Sequence, residues 1–212
     1  MGYKRRIAYA LGRPLEIVRQ RLKTVKSYLV VSDAREISQR YFVMNAFDGA
    51  MVMLGAIIGA YVVGSIDPKV MVGVGLGASL AMGISGFWGA YLTEKAMREK
   101  KIKELEKALF ADLDGSFVEN ASKTATLWIA IVDALSPALV AIISIVPFVL
   151  ALHGILSIST ALTASLLLII GILFVLGTYL GKISRGNLLT YGIYMTSAGV
   201  VTALIVILIG GW

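Results

Sequence analysis

Thirteen Asp and Glu residues occur in this chain, and only two of them, Asp48 and Asp133, fall inside long apolar stretches. A carboxylate in such a stretch is costly unless it is protonated, solvated or bound to a cation. No Lys, Arg or His lies in those stretches to pair with either aspartate. The chemistry available to the two is therefore cation coordination and proton exchange. The plainer alternative is a protonated Asp hydrogen-bonded from helix to helix. The spacing around each aspartate favours a cation. Met44, Asp48 and Met51 share one helical face, and Gly49 lets a neighbouring backbone approach closely. Thioethers beside a carboxylate suit a borderline transition-metal ion better than a hard one, although methionine is also an ordinary packing residue. Pro137 has no N–H, so the carbonyl of Asp133 that it would have bonded is left free, with Ser136 close by.

These side chains must be held in a membrane. The chain has 212 residues, 58% of them apolar, and a mean hydropathy of +0.82, well outside the range of a soluble domain. Roughly 20 apolar residues cross a bilayer core as a helix. Five stretches qualify, at about 41–64, 70–92, 127–151, 157–180 and 189–210. Barrel strands would be shorter and would alternate, so the fold class expected is an all-α integral membrane protein with five transmembrane helices. Cysteine is absent, which excludes a disulfide framework and thiolate metal sites. The scarcity of Asn and Gln hints at a thermophilic source.

The net charge of +7 is distributed by side of the membrane. Lys and Arg concentrate in residues 1–40, in the connection between the second and third spans, and at Lys182 and Arg185, whereas the opposite side has only Lys69. The positive-inside rule then makes the N-terminus cytoplasmic and the C-terminus external, a multi-pass arrangement expected in the cell (inner) membrane. The basicity reads as topology, and no nucleic-acid partner is implied. No cleavable signal or myristoylation pattern appears at the start. Residues 14–31 instead place Val18, Leu22, Val25 and Leu29 on one face, with Arg19, Arg21, Lys23 and Lys26 off it and Pro14 in the first turn. This predicts an N-terminal amphipathic helix on the anionic cytoplasmic leaflet, with membrane lipid as its partner, or else packed on the protein's own cytoplasmic loop. Asp33, with Glu36 three residues on, reads as the cap of the next helix.

The domain organisation expected is a basic cytoplasmic arm (1–40), the first two spans (41–97), a charged cytoplasmic loop (98–126) and the last three spans (127–212). The charged connection opens as a helix with Glu94/Arg98, Glu99/Lys103 and Lys100/Glu104 four residues apart, the pattern of a solvated face with weak ion pairs. Its alternative reading is a cation-collecting surface using Glu94, Glu99, Glu104 and Glu106. "DLDGSFVE" (residues 112–119) lacks the ligand spacing of a calcium loop and reads as a turn. His153 reads as an ordinary interfacial residue. In the second span Gly75, Ser79, Gly86 and Ala90 form a small-residue stripe, suited to close helix contact or to a moving interface.

An internal repeat links the aspartates. "FDGAMVMLGAIIG" (47–59) can be laid on "VDALSPALVAIIS" (132–144), and "GAYLTEK" (89–95) on "GTYLGK" (177–182). The tandem reading is two copies of a two-helix unit with a fifth helix added, which would put both aspartates at similar depth.

Together, "FDG" early in the first span, "SGFWGAYLT" closing the second, "PALVAIISIVPFVLAL" in the third and the basic N-terminal helix resemble the vacuolar iron transporter family, over about residues 14–110 and 127–210. The resemblance implies a proton-coupled exporter of Fe²⁺ or Mn²⁺ working as a homodimer. The divalent ion and protons are its substrates, no cofactor is permanently bound, and the protein is not an enzyme. The family's first-span aspartate falls on Asp48. Its second-span methionine falls on Gly86 and its two glutamates on Ala90 and Ala78, so Met82 and Asp133 stand as replacement ligands. The candidate metal ligands are thus Asp48, Asp133, Met44, Met51, Met82 and Ser136 in the spans, with Glu94 and Glu99 in the cytoplasmic segment. The alternative function is a non-transporting membrane scaffold or assembly protein that has lost its ligands.

Overall fold

The computed structural model describes residue 20 and residues 22–210. A helical stretch over 22–31 ends in a turn at Ser32 and Asp33, and five long helices follow: α1 (Ala34–Val62), α2 (Pro68–Leu109), α3 (Phe117–Leu152), α4 (Ile158–Ile183) and α5 (Leu188–Gly210). All five are long and apolar enough to cross a membrane. The part of the predicted amphipathic helix that includes Pro14, Val18, Arg19 and Arg21 lies outside the described residues.

Each joint has a local cause. At Asp33 the backbone is left-handed (φ 53°), and its carbonyl accepts from the Ile37 N–H at 3.3 Å. A helix N-cap has extended backbone, so Asp33 turns the chain where the sequence suggested a cap. Before α2, the Asp67 carboxylate accepts from the N–H groups of Lys69 (2.7 Å) and Val70 (3.4 Å), and Pro68 occupies the first helical position, where its missing N–H costs nothing. Ser157 caps α4 by accepting from the Thr160 N–H, and Asn187 caps α5 through the N–H groups of Leu189 and Thr190.

Two helices outrun their apolar stretches. α2 continues without a break through "EKAMREKKIKELEKAL" to a length of 42 residues, and α3 begins at Phe117, ten residues before its hydropathy rises. Hydropathy marks only the part that meets lipid. Glu, Lys, Ala and Leu are all good helix formers and carry the helix on into water.

The chain divides into two compact units. One comprises the described residues up to Ser38 together with Ala90–Ala130. Within it the Tyr28 ring meets Phe117 with centroids 4.8 Å apart, and the Arg98 guanidinium donates to the Ser32 carbonyl at 3.4 and 3.5 Å. Leu22 and Val25, members of the predicted apolar stripe, are exposed, and Leu29 is half-buried.

The second unit, Gln39–Gly89 with the residues from Ile131 onward, holds the main core. Met53, Ile57, Phe148, Ile169 and Leu173 are fully buried there. α1 and α3 each bury 44% of their most apolar window, against 11% for α5, so these two form its centre. The small-residue stripe of α2 lies along α3. A β-carbon on Gly75 would meet the Ile145 side chain, Ser79 Oγ donates to the Ala138 carbonyl at 3.1 Å, and a β-carbon on Gly83 would touch Ala134 and Ala138. The stripe therefore serves close helix contact.

Candidate metal site

Two helices, α1 and α3, bring polar groups to one place in the second unit. Asp133, on α3, is 5% exposed, and Ser136 one turn on is 2% exposed. The Asp133 Oδ1 accepts a short hydrogen bond from the Asn45 amide on α1. The same Asn45 nitrogen donates to the Tyr41 carbonyl at 2.9 Å. Asp133 Oδ2 accepts no hydrogen bond among the described residues, and Pro137 leaves the Asp133 main-chain oxygen without its helical partner. Both oxygens lie close against α2 at Gly86. A β-carbon on Gly86 would stand 3.0 Å from Oδ2 and 3.3 Å from the main-chain oxygen. On the other side of α3, Gly49 brings α1 directly onto Pro137, where a β-carbon would be 2.7 Å from the proline Cα and O. Two glycines thus set the helix spacings that hold Asp133.

The structure sorts the expected ligands. Asp48 is near enough for its charge to act on Asp133. They differ in setting. Asp133 is interior, as expected, whereas Asp48 is exposed, as is Met44 at 51%. The correction has a simple geometry: Gly49 and Ala50 carry the face of α1 that is buried, and Asp48 stands off it. Met51 and Met82 are partly buried against the apolar core cluster, in the packing role open to any methionine. The Ser136 hydroxyl donates to the Val132 carbonyl in a short bond, so only its lone pairs remain for a cation. Among the described residues no basic side chain pairs with either aspartate.

Asn45 was not among the expected ligands. It is the only Asn or Gln in the five apolar stretches, one turn before Asp48. That rarity was the signal available.

In the other unit the acids are engaged otherwise. Glu94 is paired with Arg98 at 3.1 Å, both side chains largely buried, and Glu99 pairs with Lys95 at 3.8 Å where Lys103 was the expected partner. Lysines stand one turn away on either side of Glu99, and it takes the N-terminal one. A cavity of about 640 Å³ is lined by Lys95, Arg98, Lys103 and Lys123 and by Glu99, Glu106, Asp114 and Glu119. Its charges balance, so it has no net attraction for cations. Glu106, Asp112 and Asp114 bring carboxylate oxygens within 4.8 Å of one another. Two of these acids serve the turn itself: Glu106 accepts from the Leu113 N–H and Asp112 from that of Asp114. The segment 112–119 is a turn, completed by Ser116 accepting from the Glu119 N–H and Glu119 accepting from the Gly115 N–H. His153 is exposed, its Nδ1 at 2.8 Å from the Val149 carbonyl.

Glu119 and Lys123 lie ahead of the apolar part of α3 and pair at 2.6 Å. The hydrogen bond from Lys123, then that from Gly115, holds the Glu119 carboxyl below its ordinary 4.5, and Glu119 holds Lys123 above its ordinary 10.5. A depressed acid contributes above its unfolded value and loses that contribution as pH falls through the folded one. A raised lysine contributes below its unfolded value and loses it as pH rises through the folded one. The start of α3 is therefore expected to be firm between those limits and to fray as pH falls below the ordinary value of Glu119. Amide exchange at residues 115–119, compared with a Glu119→Gln variant that should lack the acid-side change, checks this.

Five helices long and apolar enough to cross a membrane define an all-helical, multi-pass membrane protein. The chain is 33% identical over 177 residues to an uncharacterized protein of Methanocaldococcus jannaschii, a match covering 82% of this chain and 89% of that one, and it belongs to that protein's family. No family model matches the chain. No solved structure matches it.

Proposed function

We propose that this protein carries divalent cations of the Fe²⁺ and Mn²⁺ kind across the cell (inner) membrane, exporting them from the cytoplasm in exchange for protons. The observation that carries the reading is Asp133: a carboxylate 5% exposed in a membrane helix, with no basic partner among the described residues and with the Asp48 charge acting on it. An intramembrane acid so placed belongs to an ion or proton pathway by default. A cation and a proton compete for the same oxygens, which supplies the coupling. The resemblance of "FDG", "SGFWGAYLT" and "PALVAIISIVPFVLAL" to the vacuolar iron transporters points the same way. The exposed Asp48 and Met44 support a homodimer, because a charged side chain facing lipid is costly and a second copy would cover that face.

The test is flux in proteoliposomes across a panel of divalent ions, with and without a pH gradient. Absence of flux for every ion would reject the reading. The Asn45 to Asp133 hydrogen bond also favours a second reading, a non-transporting membrane scaffold in which the pair is only interhelical glue. A scaffold would bind no divalent ion. The proposed orientation has its own check. A reporter fused after Trp212 is expected outside and one inserted at Gly115 inside, since the basic segments share one side. Labelling of both from the same side would overturn the five-span topology.

A further inference from the structure

The two helices that close over Asp133 are attached to α3 in different ways. On one side, the Asn45 amide of α1 donates to Oδ1, and one turn further on Gly49 sets α1 against the Pro137 main chain, where a β-carbon would be 2.7 Å from Cα and O. That attachment is firm. On the other side, α2 lies against the carboxylate without bonding to it: a β-carbon on Gly86 would stand 3.0 Å from Oδ2, yet the described residues of α2 donate no hydrogen bond to Asp133. Contact loosens further at Gly83, where a β-carbon would be 3.6 Å from the Ala134 carbonyl oxygen and 3.7 Å from the Ala138 β-carbon. Ser79 then ties α2 to α3 by donating to the Ala138 carbonyl at 3.1 Å, a bond between neutral groups. The Ile145 side chain seats tightly against Gly75, about 16 Å along α2 from Gly86. Across its most apolar window α2 is 17% buried, against 44% for α1 and for α3.

We propose that α2 is the gate of Asp133: the carboxylate is reached only when the α2 face bearing Ser79, Gly83 and Gly86 parts from α3, while α1 stays fixed to α3 through Asn45 and Gly49. What passes the gate rests on the transport reading, whereas the closure itself does not. A carboxylate shut against a helix exchanges nothing until a helix moves, so one of the two must give way. For α1 to move, it would have to break a hydrogen bond to a carboxylate, stronger than one between neutral groups, and lift its main chain off that of Pro137. For α2 the obstacle is one neutral hydrogen bond and a seam of residues with little or no side chain, where no rotamers interlock. The second is the lower cost. Ile145 seated at Gly75 makes that end the pivot, so the Gly86 end swings. Its parting uncovers Oδ2 and the Asp133 main-chain oxygen together, since both face Gly86.

The natural absence of cysteine allows a direct test. Gly83→Cys with Ala138→Cys places two β-carbons 3.7 Å apart, inside the disulfide range of about 3.5–4.5 Å, and the bond would pin α2 to α3 one turn from Gly86. The full chain in proteoliposomes is treated with dicyclohexylcarbodiimide, an apolar reagent for membrane carboxyl groups, and labelling of Asp133 is followed by mass spectrometry beside Mn²⁺ flux. Wild type should be labelled at Asp133, the oxidised double variant should not, and reduction of its disulfide should restore labelling. Ser79→Ala removes the tie across the seam and should speed labelling by about 2- to 10-fold, the equilibrium worth of one neutral hydrogen bond. Ser144→Ala is the control: this buried hydroxyl donates to Val140 of its own helix, so its loss should leave the rate unchanged. The serine variants decide the matter even if the double variant does not fold. No labelling of Asp133 in the wild type, equal labelling with the disulfide closed, or equal rates for Ser79→Ala and wild type would each overturn the gate. Flux that persists with the disulfide closed would overturn the gate and leave transport standing. Labelling that follows the disulfide, in a protein without flux for any ion, would reject transport and leave the gate standing.

Discussion

Asp133→Asn is expected to abolish divalent-cation flux while leaving a folded protein that, without metal, unfolds at a higher temperature than the wild type. Asn at this position keeps the volume of the side chain and an Oδ1 to accept from Asn45, so the helix-to-helix bond survives. What is lost is the charge and the Oδ2 beside Gly86. A cation that needs that oxygen has nowhere to dock. The stability sign follows from the same change. In the empty wild type the Asp48 charge acts on a buried like charge that no cation offsets, and neutralising Asp133 removes both that repulsion and the cost of burying it. A gain on the order of 1 kcal/mol would raise the melting temperature by about 2–4 °C for a chain of this size. Were the pair purely structural, the variant would melt lower and no flux would have existed to lose. Flux at the wild-type rate in Asp133→Asn would remove Asp133 from the pathway. Asp48→Asn tests the other half, and its effect on stability should be smaller because Asp48 is exposed.

The sequence was most legible where lipid is the solvent. A bilayer demands about 20 apolar residues in a row, and each predicted stretch falls on one observed helix, overrunning it by two residues at most. Where water resumes, that signal stops although the helix does not. The four-residue charge spacing still marked the far part of α2 as helical, but its unbroken continuity with the span and the first ten residues of α3 had to come from the structure. The two aspartates stood out because charge is scarce in lipid. The repeat could not tell that one would be interior and the other exposed, because burial depends on which face of α1 meets α3. The thioether ligands read around Asp48 were inferred from spacing along one helix, and spacing is blind to what the neighbouring helix presents. Asn45 illustrates the same limit: its partner is 88 residues away. Gly86 could be noted as part of a small-residue stripe, yet that it faces two free oxygens of Asp133 is a fact of packing between α2 and α3.

Gly49→Ala and Gly177→Ala should be the most destabilising single-methyl changes in the molecule, while Gly59→Ala should be neutral or stabilising. All three positions are helical glycines, where intrinsic propensity alone favours alanine by about 1 kcal/mol. They differ in what the new methyl meets. At Gly59 nothing lies within 4 Å. At Gly49 the methyl would come within 2.7 Å of the Pro137 Cα and O, and at Gly177 it would run into the Tyr191 carbonyl oxygen and come within 2.7 Å of the Gly192 Cα. Those obstacles are backbone, which cannot swing aside as the end of a side chain can. The helices must separate, and overpacking of this kind costs about 1–3 kcal/mol or more. For this chain that corresponds to a fall of very roughly 5–10 °C in melting temperature. The two clashes should nonetheless be distinguishable by function. Gly49→Ala pushes α1 away from α3 one turn from the Asn45 to Asp133 hydrogen bond, so Mn²⁺ binding should fall along with stability. Gly177→Ala opens α4 from α5, helices that contribute no group to the site, so the folded fraction should bind Mn²⁺ as the wild type does. Thermal unfolding and Mn²⁺ titration of the three variants check both statements. Equal melting temperatures for Gly49→Ala and Gly59→Ala would mean that α1 and α3 are not in backbone contact, and the geometry assigned to Asp133 would go with it.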